Sequence, residues 1–129
     1  FVCLMTWRSI IHMFFEEFGA HDIATIIVLT GEPDPMPLIY IFFSLWGFAQ
    51  LIFCGLCWIV IFRYKSLVSL MYVFWLIEWS GRLFLYPLIE RDPLATGIYT
   101  TGNTPGVEGA PYVTILLVVF LLLSLREKT

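Results

Sequence analysis

Between Pro37 and Arg63 stand 25 consecutive residues, Leu38 to Phe62, without a charged side chain. As a helix they reach about 37 Å at ~1.5 Å per residue, more than the ~30 Å of hydrocarbon in a bilayer. Gln50 is the only strongly polar group among them, so the helix is apolar on every face. A soluble domain of 129 residues has no interior that could bury such an element. The sequence therefore reads as an all-α integral membrane protein, a single transmembrane domain over residues 1–129.

The rest of the chain agrees. Hydrophobic residues make up 60% of it and charged ones 13%, about half the charged share of soluble domains. With a net charge of −3 and no basic cluster, it offers no phosphate track for nucleic acid. No basic stretch followed by an A-x-A-type site opens the chain, so Phe1 to Phe18 does not read as a signal peptide.

Four helices are expected, at about 1–18, 38–62, 66–85 and 111–127. Pro37 opens the second at a first-turn position, where its missing N–H costs nothing. Arg63-Tyr64-Lys65 closes it, and the third runs from Ser66 to Leu85, where Tyr86-Pro87 is expected to turn the chain. The last is short but extends if Arg126 and Lys128 snorkel. In the first, Arg8, His12, Glu16 and Glu17 interrupt an otherwise apolar segment. Of the connections, Ile23 to Leu29 is too short to span and suits an interface or a cap on the helices. The run TGIYTTGNTPGVEGAP should form an irregular loop.

Basic residues set the orientation. Arg63, Lys65, Arg126 and Lys128 fall on one side of a four-crossing arrangement. The other side holds Asp22, Glu32, Asp34, Glu90, Asp92 and Glu108 against a lone Arg91. The positive-inside rule then places both termini in the cytoplasm.

Ionisable side chains within such helices are costly and ask for partners or a purpose. Glu78 and Arg82 are spaced i,i+4 with the acid first, the favourable order for an intrahelical pair. Arg8, His12 and Glu16 also advance by fours and share one stripe. If the first and third helices run parallel, Arg8 meets Glu78, Glu16 meets Arg82, and His12 lies between. The plain expectation is a structural ion-pair seam that fixes register. The sharper one is a polar binding pocket or proton path with His12 as its titrating member. Should the first segment lie outside the membrane, its charges simply meet water.

Two further clusters carry chemistry. Glu17, His21 and Asp22 are metal-ligating residue types at the end of the first helix, but the Glu-x-x-His of di-iron helices is missing. A solvated helix end accounts for them, and no metal is expected. Cys54 and Cys57 form a C-x-x-C inside the second helix. Apolar surroundings silence a thiol, so small packing residues are expected there and redox work is the alternative. Ser44, Gly47 and Cys54 share a face suited to close approach of a neighbouring helix. No nucleophilic triad, phosphate loop or zinc spacing is present, the sequence requires no cofactor, and a pigment or haem on His12 ranks below the ion-pair seam.

An acidic link before a Pro-led second helix, a short basic link after it, and Glu78-Trp-Ser-Gly-Arg82 in the third resemble the layout of the small DoxX-like bacterial membrane proteins. The resemblance implies a four-helix bundle in a bacterial inner membrane, with ties to redox and respiratory partners, and carries over no catalytic residue. The function expected is a non-catalytic accessory subunit or a binder of a lipid-like ligand, built round the seam. The alternative is a redox or proton-coupled membrane protein using Cys54/Cys57 or His12. Its partners would be the bilayer and a larger membrane complex or a second copy. In cells, a thiol reagent confined to the cytoplasmic side should label Lys65→Cys; labelling only from the opposite side would reverse the topology.

Overall fold

The computed structural model describes residues 1–89 and 96–126, and these are all-helical. Four longer helices carry the fold: α1 (Val2–Phe14), α2 (Met36–Arg63), α3 (Lys65–Leu88) and α4 (Ala110–Arg126). By length and composition, α2 with 28 residues and α3 with 24 are long and apolar enough to cross a membrane. α1, at 13 residues, and α4, at 17, are apolar but shorter.

Local chemistry explains where these elements begin and end. Asp34 Oδ1 accepts the Met36 N–H at 3.0 Å, satisfying a first-turn donor of α2, and Pro37 occupies the first turn. α2 thus starts two residues before the uncharged run. α3 is not uniform: a 3₁₀ turn (Lys65–Leu67) leads into α-helix (Val68–Ser80), then a π turn (Gly81–Leu85) and a last α turn (Tyr86–Leu88). Contrary to expectation, Tyr86-Pro87 does not turn the chain. Pro87 follows the π turn at the start of a new helical segment, where a missing N–H costs little. The first helix is also shorter than expected: Phe15, at φ −130° and ψ 53°, breaks it, and Glu16–Phe18 and the π turn Gly19–Ile23 follow on a new axis.

α1 lies antiparallel along α2. Trp58 Nε1 donates to Thr6 Oγ1 at 3.1 Å, Ser9 Oγ to Gln50 Oε1 at 3.1 Å, and Ser44 Oγ to the Met13 carbonyl at 2.9 Å. Gly47 makes this approach possible. A Cβ there would stand 2.5 Å from the Met13 nitrogen and 2.8 Å from the His12 carbonyl carbon, inside any tolerable contact. α3 and α4 form the second antiparallel pair, with Ser124 Oγ donating to Ser69 Oγ at 3.1 Å and Tyr72 tilted on Phe120. The core joining the pairs holds Met5, Cys54, Cys57, Met71, Trp75 and Leu117. Phe1 packs edge-on against Trp75, with ring centres 5.1 Å apart, and Arg8 lies over Trp79 further along, so α1 and α3 run parallel.

At the long-loop end the connections bind each other. Ile27 N–H donates to the Tyr99 carbonyl at 2.9 Å and Thr101 N–H to the Thr25 carbonyl at 2.7 Å, around an isolated antiparallel bridge between Ile26 and Thr100. Thr25 holds φ at 58°, unusual for a β-branched residue. Its hydroxyl donates to the Gly102 carbonyl at 3.1 Å, which helps fix that conformation. The apolar Ile23–Leu29 segment, expected at an interface or as a cap, and the Thr/Gly-rich loop pair with each other to form one lid. A short helix, Pro105–Glu108, then leads into α4. Glu90, Arg91, Asp92 and Lys128, which entered the charge reading, lie outside the described residues.

Gly47→Ala should destabilise the purified protein by about 1–3 kcal/mol, the usual range for overpacking. Gly55→Ala, whose Cβ meets nothing within 4 Å, should match or slightly exceed wild type, because Ala is the better helix former. Melting temperatures of the two variants in one detergent check the contrast.

Candidate functional site

The convergence of α1, α2 and α3 brings the ionisable residues together around two indoles. Arg8 from α1 lies over the Trp46 ring of α2 at 5.0 Å and the Trp79 ring of α3 at 5.7 Å. Arg82 lies over the same rings, at 5.3 Å and 4.8 Å. Each contact of this kind contributes about 0.5–2 kcal/mol, toward the upper end where water is excluded. His12 stacks on Trp46 with ring centres 4.8 Å apart and meets Phe43 edge-on. It is 1% exposed, and among the described residues neither ring nitrogen has a hydrogen-bond partner.

Glu78 supplies the negative charge. Its Oε1 accepts from Arg82 Nε at 2.8 Å and from Arg82 Nη2, the i,i+4 pair the spacing implied. Arg8 comes to the level of Glu78 and Arg82 yet forms no ion pair there, and its Nη1 is buried without an acceptor. The seam is thus partly assembled: the intrahelical pair is made, while Arg8 meets ring faces in place of the Glu78 carboxylate.

Glu16 does not join it. The break at Phe15 takes Glu16 off the stripe of Arg8 and His12, and it lines a separate recess with Glu17, His21 and Asp22. In that recess the hydrogen bonds of His21 are already assigned. The Ile26 carbonyl can only accept, so His21 Nδ1 carries a proton and donates to it at 2.7 Å; in the neutral ring Nε2 accepts from the Tyr40 hydroxyl at 2.6 Å. Both nitrogens are engaged, and among the described residues no group of three potential ligands gathers.

Cys54 and Cys57 are free thiols at 0% and 1% exposure. Cys54 Sγ lies 3.9 Å from Ser9 Oγ, and both cysteines belong to the packed core. Thiol exchange needs access by a partner, and this packing denies it. Ser44, Gly47 and Cys54, placed on one face by spacing, all lie against α1.

Three site residues escaped sequence reading. No local pattern marks Trp46 and Trp79; only the antiparallel register of α2 and α3 puts them at one level. Gly106, in the loop, is the third: a Cβ there would lie 3.3 Å from Arg8 Nη2 and 3.6 Å from Arg82 Nη1. Beside this cluster a half-open recess of about 380 Å³ is lined by Trp46, Ile77, Glu78, Arg82, Leu85 and Tyr86.

Glu78→Gln keeps the shape but leaves two guanidinium groups without a carboxylate. It should lower stability by about 1–3 kcal/mol, while Glu108→Gln, on the exposed turn, should change nothing measurable; chemical denaturation in detergent separates the two. Compared with protein-family models, with curated proteins and with solved structures, the chain matches none.

Proposed function

We propose that this chain is a small polytopic membrane module of four crossings with both termini cytoplasmic, a non-catalytic accessory subunit or binder of a lipid-like ligand. The observation that carries the reading is the placement of charge. His12 is buried and Arg8, Glu78 and Arg82 gather half-buried between the helices, while Leu38, Phe42, Leu45, Ile52, Ile59 and Phe62 of α2 face outward. Only 28% of the most apolar stretch of α2 and 22% of that of α3 is buried within the fold. A core helix of a soluble protein is mostly covered, so hydrocarbon is the solvent these faces suit. The recess beside the cluster has a polar floor, Glu78 and Arg82, and apolar walls, Ile77 and Leu85, which suits an amphiphile. The shorter α1 and α4 cross by thinning the bilayer locally and by snorkelling at Arg126. A DoxX-like layout and a bacterial inner-membrane location belong to the same proposal.

A second reading is proton coupling through His12, a buried imidazole stacked on Trp46 whose ring nitrogens have no hydrogen-bond partner among the described residues. The cysteine arm of that reading has less support, since both thiols are packed away from any exchange partner.

Expressed in bacteria, the protein should stay in the membrane after an alkaline wash and purify colourless with a bound amphiphile detectable by native mass spectrometry. Trp46→Ala should lose that amphiphile. Release into the wash would overturn the membrane reading, and a visible cofactor spectrum or a reversible Cys54–Cys57 disulfide would favour the second.

A further inference from the structure

Among the described residues the polar cluster is one anion short. Two guanidinium groups face a single carboxylate among the described residues, and Glu78 gives its Oε1 to Arg82 alone. An uncompensated, half-buried cation is costly, and the ring faces of Trp46 and Trp79 offset that cost only in part. Among the described residues two buried donors of the cluster, Arg8 Nη1 and Trp79 Nε1, have no acceptor, against one unfilled acceptor, Glu78 Oε2. Arg82 meets Glu78 through Nε and Nη2, which leaves its Nη1 edge over. That edge and Arg8 Nη2 reach the same point, the place a Gly106 Cβ would occupy. The short Pro105–Glu108 helix therefore covers both forks at Gly106, where no side chain comes between.

From this we infer that Arg8 and Arg82 together form an oxyanion site, taking one carboxylate or phosphate group under Gly106, with the attached hydrocarbon lying in the recess of Ile77, Leu85 and Tyr86. The planar fork of Arg suits such groups, since each presents two parallel donors to two oxygens. Indole rings against both guanidinium groups leave their N–H edges for the ligand. The site deepens the ligand-binding reading above and rests on it. It fixes the charge and shape of the headgroup: one anionic oxyanion, compensating one excess cation.

The test uses the full chain in nanodiscs of phosphatidylcholine, with melting temperature and tryptophan fluorescence as readouts. Three probes are added separately: oleate, phosphatidylglycerol in the disc, and inorganic phosphate in solution. A rise in melting temperature with oleate or phosphatidylglycerol supports the site with a lipid source, and a rise with phosphate alone supports it with a soluble one. In both cases the shift should vanish in Arg8→Met, and that variant should melt no lower than wild type in phosphatidylcholine, because it removes a cation that lacks a partner. Arg8→Lys should weaken oleate binding about tenfold or more, since the fork is gone while the charge stays. Gly106→Asp brings a carboxylate of its own to the forks, so it should melt higher without ligand and respond to none of the probes. Should no probe shift the wild type, or the shift persist in Arg8→Met, the oxyanion site is wrong, yet the membrane reading stands. Release by alkaline wash is the separate result that removes that reading.

Discussion

Trp46 has His12 stacked against its ring and lies beneath both Arg8 and Arg82, so three helices must converge at one level for these contacts to exist. Guanidinium groups lose part of their hydration there and are compensated in part by indole quadrupoles. The demand is geometric as well as energetic: α1 and α3 must run parallel, and α2 must oppose them, or the rings and the charges would sit at different depths. Gly47 serves the same requirement, since only a missing Cβ lets α2 come close enough to α1 to seat Trp46 on His12.

Polar and apolar contacts divide the work between the two helix pairs. Along α1 and α2 a short ladder of Thr6, Ser9, Ser44, Gln50 and Trp58 fixes register by hydrogen bonds that apolar surfaces alone would not specify. Between α3 and α4, Ser69 and Ser124 make one such contact and Leu117, Tyr72 and Phe120 fill the rest. The paired lid at the other end adds backbone hydrogen bonds between distant segments, Ala24–Ile27 and Tyr99–Thr104, and carries Gly106 over the cluster. Charge, register and lid are therefore one construction, and a change at any of them is felt at the arginines.

Much of this was legible beforehand. The uncharged run of α2, the basic link after it and the i,i+4 order of Glu78 and Arg82 all appear where local rules put them, because helix period and side-chain chemistry act within a few residues. The reading faltered where an outcome depended on a single backbone angle. Phe15 carries no Pro or Gly signal, yet its turn out of the helix separates Glu16 from Arg8 and His12. The continuation through Pro87 likewise hinges on a π turn, which no residue pattern announces reliably.

What the sequence determined by itself is the class: long apolar helices, charges confined to a few positions, and a loop too rich in Gly, Thr and Pro to extend a helix. Hydropathy and periodicity are properties of the chain at each position, so they survive without coordinates. Only the tertiary structure decided which charges meet, that Arg8 faces rings rather than a carboxylate, that His21 is spent on Ile26 and Tyr40, and that Gly106 reaches the arginines from the loop. Those facts depend on the relative depth and rotation of separate helices. They are set by close packing at Gly47, a small-residue face that spacing marks without naming its partner, and by pairing in the lid, which has no counterpart in local sequence.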